Sequence, residues 1–165
     1  MNTAAVLTIS DSSSQGTRKD LSGPAVIQVL TTAGFQVART AVLPDEQAQI
    51  QQQLVAACET ARLVVTVGGT GIAARDVTPE ATMAVVERLI EGIPEKMRIA
   101  GATSTPLAAL SRGICGVRGK SLILNLPGSP KAAVESLQAI VAILPHALEL
   151  LSGQTEHREQ VTGNK

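Results

Sequence analysis

Apolar residues occur along this chain in two patterns, short continuous runs and stretches with helical spacing. The short or alternating runs predict strands over 4–10, 35–43, 63–67, 113–118 and 121–126. The stretches with helical spacing predict helices over 24–34, from 44 to about 58, from 78 onward, over 95–100, over 107–111 and over 131–151. Alternation of strands and helices is typical of a mostly parallel sheet covered by helices. The pattern therefore predicts an α/β sandwich with a largely parallel central sheet.

Length and composition indicate one globular domain followed by a short tail. A chain of 165 residues with 44% hydrophobic content is long enough to bury a substantial core. We expect that domain to span residues 1–152. The segment 153–165 is polar and has no periodicity, so we expect a flexible C-terminal tail.

The charge balance and the scarcity of aromatic residues argue against a nucleic-acid partner. Basic and acidic residues number 14 each, and Phe35 is the only aromatic residue, so the stacking platforms of single-strand binders are nearly absent. The most apolar late stretch, 137–151, is interrupted by Gln138, Pro145, His146 and Glu149, which argues against a membrane span. We therefore expect a small-molecule ligand, no nucleic acid and no membrane.

The N-terminal residues and the two cysteines favour a cytoplasmic location. The first ten residues, MNTAAVLTIS, lack the basic and long apolar regions of a signal peptide. Cys58 and Cys115 show no CxxC or Cys/His spacing, which favours reduced core thiols over a disulfide framework or a zinc site.

The stretch LVVTVGGTGIAARDVTPEAT at 63–82 carries the most readable chemistry. A buried strand leads into three glycines, then into Arg75 and Asp76, and then into a helix for which Thr78 is the expected N-cap. Free backbone amides, a cation and a carboxylate beside a helix N-terminus suit a phosphate with its metal ion. The alternative is a tight strand-to-helix connection in which the glycines serve geometry and Asp76 caps the helix.

Four polar or glycine-rich segments each follow a predicted strand. They are Ser10-Asp11, Asp45, 68–76 and 125–129. In an open parallel sheet the carboxyl ends of the strands share one edge, and ligands bind in the crevice outside it. The convergence of four such segments favours a binding site over a pure scaffold.

Several nucleotide-binding and catalytic motifs are absent. Gly119-Lys120-Ser121 lacks the earlier glycine of a P-loop and leads into a strand, and the Gly68 turn does not have GxGxxG spacing. His146 and His157 belong to no nucleophile motif. The remaining carboxylates, hydroxyls and glycines suit phosphoryl-group chemistry, in which Asp45 and Asp76 are the natural Mg²⁺ ligands. For Asp45, a helix N-cap after Pro44 is the alternative.

The combined motifs resemble one known family. They are LTISDS at 7–12, DLSGP at 20–24, LPDE at 43–46, GGTG with RDVTPEAT at 68–82, LSR at 110–112 and LILNLPGSPKA at 122–132. In this order they resemble the molybdopterin adenylyltransferase family of molybdenum cofactor biosynthesis, over about residues 4–151. The resemblance implies a three-layer α/β/α sandwich of the molybdopterin-binding-domain type. It also implies Mg²⁺-dependent transfer of AMP from ATP to molybdopterin, with release of pyrophosphate.

The resemblance also assigns the site residues. Asp45 and Asp76 match the family's essential acidic positions, both catalytic and metal-binding. The nucleotide-phosphate turn corresponds to Gly68, Gly69, Thr70 and Gly71. The segments lining the ligand crevice correspond to Ser10, Asp11, Ser12, Asn125, Pro127, Gly128 and Ser129. Further phosphate contacts are expected from Arg75, Ser111 and Arg112.

Three functional hypotheses remain open at the level of sequence. The first is the ATP-dependent adenylyltransferase, which the intact Asp45 and Asp76 pair favours. The second is a molybdopterin carrier or scaffold without chemistry, and the third is a structural trimerisation module. The resemblance further implies a homotrimer and transient contact with molybdopterin synthase and the molybdenum insertase.

Overall fold

The computed structural model describes residues 2–153, which form one sheet and its covering helices. The strands are β1 Thr3–Ile9, β2 Gln36–Leu43, β3 Leu63–Val67, β4 Arg88–Leu89, β5 Cys115–Arg118 and β6 Ser121–Leu126. The α-helices are α1 Asp11–Ser14, α2 Ser22–Thr32, α3 Gln47–Cys58, α4 Thr78–Met83, α5 Gly92–Ala102, α6 Pro130–Ile140 and α7 Leu144–Leu151. Two 3₁₀ turns span Pro106–Leu110 and Val141–Ile143. All but the first residue of the predicted tail at 153–165 lies outside the described residues.

The sheet is mostly parallel, as predicted. Its strand order is β2-β1-β3-β6-β5-β4. The pairs β1/β2, β1/β3 and β3/β6 are parallel, whereas β5/β6 and β4/β5 are antiparallel. The carboxyl ends of β1, β2, β3 and β6 therefore lie along one edge of the sheet.

Two hydrophobic clusters, one on each face of the sheet, produce the three layers. Along β3, Leu63 and Val65 face one cluster and Val64 faces the other, because successive side chains of a strand point to opposite faces. Helices α2, α5, α6 and α7 cover the first face, and α3 and α4 cover the second. All five β3 residues are buried, as expected for a central parallel strand. The predicted α/β/α sandwich is confirmed.

The region between β1 and β2 differs from the prediction at two points. Residues Asp11–Ser14 form a helical turn rather than part of a loop, because the Ser10 hydroxyl caps it by accepting from the Ser13 amide at 3.2 Å. Helix α2 begins at Ser22 rather than at Pro24. The Asp20 carboxylate explains the earlier start, since it accepts the amides of Ser22 and Gly23, each at 3.0 Å.

Later elements show three more differences. Thr78 is not the N-cap of α4: Val77 occupies that position, and the Thr78 hydroxyl instead donates to the Gly68 carbonyl at 2.9 Å. The two-residue strand β4 was not predicted, because its short exposed segment gives no periodic signal. The predicted helix over 131–151 is interrupted by the 3₁₀ turn at Val141–Ile143.

The segment Pro130–Leu151 is long and apolar enough, by length and composition alone, to cross a membrane. Its packing gives the apolar residues another role. Leu137, Ile140, Leu144 and Leu148 are buried in the cluster on the first face of the sheet. These four residues therefore serve the core.

The two cysteines are free thiols, in agreement with the prediction. Cys115 is buried on β5, and burial raises the pKa of its thiol to about 12. Cys58 is half-buried at the end of α3, where burial also raises the thiol pKa. Because the thiolate is the reactive form, both side chains are chemically quiet near neutral pH.

A buried polar network centred on Asn125 ties β6 to β3 and α4. The Asn125 amide nitrogen donates to the hydroxyls of Thr66 and Thr82, each at 2.9 Å, and its carbonyl oxygen accepts the Ile114 amide at 3.2 Å. Asn125, Thr66 and Thr82 are fully buried. A buried polar side chain with all its partners in place fixes the relative position of the elements that it joins.

Removing the Asn125 side chain should therefore destabilise the fold. We expect Asn125→Ala to lower the free energy of unfolding by about 3 kcal/mol, because two buried hydroxyls lose a donor and the Ile114 amide loses its acceptor. Urea unfolding measures the change. Gln138→Ala, which removes an exposed amide from α6, is the matched control and should shift it by less than about 1 kcal/mol. Equal effects of the two substitutions would contradict a structural role for the network.

Candidate functional site

Two adjoining cavities open at the shared carboxyl edge of the parallel strands. The first, here called the polar cavity, has a volume of about 370 Å³ and is bordered by hydroxyls, carboxylates and two cations. The second, here called the apolar cavity, has a volume of about 470 Å³, and Met97, Leu107, Ala108 and Leu110 form much of its wall. The cavities meet along a seam shared by Gly69, Asp76, Gly128 and Ser129.

Most of the predicted site residues border these cavities. Those lining the polar cavity are Ser10, Asp45, Gly68, Gly69, Asp76, Gly128 and Ser129. Those lining the apolar cavity are Gly69, Thr70, Gly71, Asp76, Ser111, Pro127, Gly128 and Ser129. The four strand ends thus bring their polar segments together at one crevice.

Five predicted residues line neither cavity: Arg112, which is described below with the loop that carries Asp76, and the four described next. Asn125 lies beneath the crevice in the buried network. The Ser12 hydroxyl contacts that of Ser10 at 3.2 Å. The side chains of Asp11 and Arg75 pair with each other beside the polar cavity. These four residues support the walls of the crevice.

The glycines of the 68–71 turn allow close approach of neighbouring chain segments. Gly68 and Gly69 have φ values of 108° and 66°, a region that disfavours residues with a Cβ atom. A Cβ atom at Gly68 would overlap the Ile9 carbonyl oxygen, and one at Gly69 would lie 3.0 Å from the Asp45 carboxylate. At Gly71 it would lie 2.8 Å from the Asp76 carboxylate. The glycines therefore serve the backbone geometry and, by the same packing, place two carboxylates beside the turn.

Asp11 and Asp45 bind each other's backbone. The Asp11 amide donates to Asp45 Oδ2 at 2.9 Å, and the Asp45 amide donates to Asp11 Oδ1 at 3.0 Å. These reciprocal hydrogen bonds join the segment after β1 to the segment after β2. Asp45 is therefore held through both its backbone amide and its carboxylate. Asp45 is not the N-cap of helix α3, because Glu46 occupies that position.

Arg75 joins the loop after β3 to this pair. Its guanidinium donates to both Asp11 oxygens, at 2.8 and 2.9 Å, and to Glu46 at 3.0 Å. The Arg75 guanidinium, followed by the Asp45 amide, lowers the pKa of the Asp11 carboxyl. Asp11 is therefore the ionised anchor of this corner of the site.

Asp45 has the opposite electrostatic environment. Burial is the main reason that its carboxyl pKa is raised, and the negative charges of Asp11 and Asp76 raise it further. Hydrogen bonding from the Asp11 amide and the charge of Arg75 only partly offset these effects. An ionised Asp45 is thus costly in the unliganded protein, and a cation placed beside it would relieve that cost.

The carboxylates of Asp45 and Asp76 fit a magnesium ion. In each carboxylate, one oxygen accepts a backbone amide, that of Asp11 for Asp45 and that of Ala73 for Asp76. Within residues 2–153, the second oxygen of each carboxylate has no hydrogen bond. The same residues contain no group of three or more Asp, Glu, His or Cys side chains placed to hold a metal. Mg²⁺ is commonly held by one or two carboxylates, with substrate phosphates and water completing its octahedron.

Arg112 stabilises the loop that carries Asp76. Its guanidinium donates to the carbonyls of Gly71 and Asp76, each at 2.7 Å, and pairs with Glu80 in α4. That pairing raises the Arg112 pKa and lowers the Glu80 pKa. The family resemblance implies a phosphate contact for Arg112. In the structure, the Arg112 guanidinium is bound to groups of the chain itself.

Sequence reasoning missed two groups of residues that border the crevice. Arg18 and Lys19 line the polar cavity from the loop between α1 and α2. Their adjacent charges in an otherwise hydroxyl-rich loop were a usable signal. The apolar wall, from Met97 to Leu110, could not be predicted because its residues have the helical spacing of ordinary core positions.

The pKa is raised for Asp45 and lowered for Asp11. Replacing either carboxylate with a neutral side chain should therefore change the stability of the fold in opposite directions. A carboxyl whose pKa is raised in the folded state destabilises the fold as pH rises through that pKa. Asp45→Asn, which keeps an acceptor for the Asp11 amide, should therefore raise the melting temperature at pH 7. The gain should vanish below the ordinary Asp pKa of 3.8, where wild-type Asp45 is protonated.

The matched variant is Asp11→Asn. Because the pKa of Asp11 is lowered, its ionised form stabilises the fold above the ordinary pKa, and that contribution is lost as pH falls. This substitution should lower the melting temperature at pH 7. Thermal scans without divalent metal between pH 3 and pH 8 compare the two. Shifts of the same sign at pH 7 would contradict the charge arrangement described above.

Comparison with known proteins identifies the family of this chain. A family model described as "Probable molybdopterin binding domain" matches residues 5–146. The molybdopterin adenylyltransferase of Helicobacter pylori is 41% identical over 152 residues, covering 90% of this chain and 86% of that protein. The molybdenum cofactor synthesis protein cinnamon of Drosophila melanogaster is 46% identical over 153 residues, covering 90% of this chain but only 25% of that longer protein.

A solved structure extends the agreement to three dimensions. The molybdopterin biosynthesis enzyme MoaB of Thermus thermophilus superposes with a TM-score of 0.87 at 48% sequence identity. The match covers 93% of this chain and 98% of that structure. The sequence matches and the shared fold agree, and the chain belongs to the molybdopterin-binding domain family of molybdenum cofactor biosynthesis proteins.

Proposed function

We propose that this protein is a molybdopterin adenylyltransferase, which joins AMP from ATP to the terminal phosphate of molybdopterin and releases pyrophosphate. The observation that carries the proposal is the seam between the cavities, where Asp76 borders both and Asp45 borders the polar one. The relatives of similar length that bear this name support it.

The two cavities suit two substrates of different character. The polar cavity, with its hydroxyls and cations, suits the triphosphate of ATP. The apolar cavity suits a flat heterocycle, with hydroxyl and amide groups at its rim to orient it. We therefore place ATP in the first cavity and the pterin in the second, so that their phosphates meet at the seam.

The reaction requires positioning and charge neutralisation rather than a protein nucleophile. An oxygen of the pterin phosphate forms a bond to the α-phosphorus of ATP. The bond from that phosphorus to the bridging oxygen breaks, and its electron pair leaves with pyrophosphate. The 68–71 turn would hold the nucleotide phosphate against its backbone amides, and Ser10 and Ser129 would orient phosphate oxygens. The reacting groups would thus be held in line.

Asp45 and Asp76 are the proposed Mg²⁺ ligands. When bound, the ion would neutralise charge on the phosphates during transfer. Asp11 and Arg75 would hold Asp45 in place, and Arg112 would hold Asp76 through its backbone carbonyl.

The proposed function includes an oligomeric state, two protein partners and a cellular location. Self-association is supported by large apolar side chains that are exposed in a single chain, including Met83, Leu89 and Ile99, and a homotrimer is the assembly that the family resemblance implies. The chemistry requires a source of molybdopterin and a consumer of its adenylylated form, so transient contacts with molybdopterin synthase and the molybdenum insertase are part of the proposal. A cytoplasmic location is in keeping with the two free thiols.

The test is pyrophosphate release in the presence of molybdopterin, ATP and Mg²⁺. Asp45→Asn and Asp76→Asn should each lower the rate by about a hundredfold or more, since both would remove a charged metal ligand. Glu95→Gln, a neutralised exposed carboxylate on α5, is the matched control and should retain wild-type activity. Full activity in both aspartate variants would remove the metal role. Pterin binding without pyrophosphate release by the wild type would instead indicate a carrier.

A further inference from the structure

Arg18 and Lys19 are cations at the polar cavity that are not used by the fold. Both are exposed and both border the cavity. Within the part of the chain that the structure describes, no carboxylate oxygen lies within 4.0 Å of either charged group. Neither side chain makes a hydrogen bond there, although the Arg18 backbone amide donates to Ser12. Their charges are therefore available to an anion in the cavity.

The other arginines around the crevice are already engaged. Arg75 is bound to Asp11 and Glu46, and Arg112 is bound to Glu80 and two carbonyls. Arg98, beside the apolar cavity, donates to carbonyls of Ser111 and Gly113 at 3.5 and 3.3 Å. A phosphate bound by any of these would compete with the existing interactions for the same guanidinium charge. Arg18 and Lys19 could bind a phosphate without such competition.

The loop that carries the two cations is anchored at both ends. On its N-terminal side, the amides of Thr17 and Arg18 donate to the Ser12 carbonyl at 3.0 and 3.2 Å. On its C-terminal side, Asp20 accepts the Thr8 hydroxyl at 2.7 Å as well as the amides that start α2. A Cβ atom at Gly23 would overlap the Asp20 carboxylate and the Thr8 hydroxyl.

The same anchor reaches the opposite wall of the cavity. Ser22 lies two residues after Asp20, and the Ser22 hydroxyl donates to the Gly128 carbonyl at 2.6 Å. Gly128 lies on the seam between the cavities. The Asp20 anchor therefore sets the distance between the loop with the two cations and the wall where the phosphates are proposed to meet.

We propose that Arg18 and Lys19 bind the β- and γ-phosphates of ATP, and that Asp20 is the positioning residue that holds them there. This inference rests on the proposed function. When the bond between the α-phosphorus and the bridging oxygen breaks, the electron pair stays on the pyrophosphate oxygen. The two side chains offset that added negative charge, and they act on the leaving group rather than on the AMP portion.

The proposal is tested by comparing ATP with AMP, because only ATP carries the phosphates in question. Calorimetry with Mg²⁺ and without molybdopterin measures both affinities. In the double variant Arg18→Gln/Lys19→Gln, the Kd for ATP should rise about tenfold, whereas the Kd for AMP should stay within about twofold. The control variant Lys96→Gln/Lys120→Gln, which removes the same charge from exposed positions outside both cavities, should change neither.

Equal weakening of ATP and AMP, or no change in either, would overturn the assignment of the two cations. This outcome is distinct from failure of the proposed function. The wild type could release pyrophosphate with molybdopterin whether or not these residues bind the leaving phosphates. Conversely, the preference for ATP over AMP can be measured without molybdopterin.

The role of Asp20 is tested by a double-mutant cycle. Asp20→Asn should reduce the preference for ATP over AMP in the wild type but not in the Arg18→Gln/Lys19→Gln background. Thr8→Val, which removes one donor to Asp20 and leaves the carboxylate in place, should give a smaller change in the same direction. If Asp20→Asn weakens both nucleotides equally in both backgrounds, Asp20 serves only the fold and the positioning role is wrong.

Discussion

The reciprocal hydrogen bonds between Asp11 and Asp45 are the constraint on which the site depends. They join the ends of two parallel strands, and Arg75 from the loop after the third strand closes the arrangement through Asp11. Asp11, which is ionised and paired with Arg75, is the structural partner. Asp45 has a burial-raised pKa and one oxygen without a hydrogen bond in the described residues, and it is the partner suited to a cation. Of these two aspartates, Asp11 thus serves stability and Asp45 is suited to function.

The division has an energetic consequence. Burial and two neighbouring carboxylates oppose ionisation of Asp45 in the unliganded protein, so the fold retains an electrostatic cost at the place where a metal and phosphates would bind. Nearby, Arg112 holds the loop that carries Asp76, and the Asn125 network holds β6 against β3 and α4, each through several hydrogen bonds. A rigid surround of this kind holds the carboxylates in position before a ligand arrives.

Sequence reasoning succeeded where the signal was local and periodic. The buried run of β3 and the glycines after it predicted both the strand and the turn, and the shared edge of a parallel sheet predicted that Asp45 and Asp76 would converge. It failed where tertiary contacts decide the outcome. Thr78 has the residue type of an N-cap, but its hydroxyl is taken by the Gly68 carbonyl. Pro24 has the residue type of a first helical position, but α2 begins at Ser22 because the Asp20 carboxylate accepts the amides of Ser22 and Gly23.

The measurement that tests the proposed reaction most directly is mass analysis of the pterin after incubation of the wild-type protein with molybdopterin, ATP and Mg²⁺. Molybdopterin should gain one adenylyl group, and omission of ATP or of Mg²⁺ should leave it unchanged. Recovery of unmodified molybdopterin from the complete mixture, with a protein that binds both substrates, would contradict it.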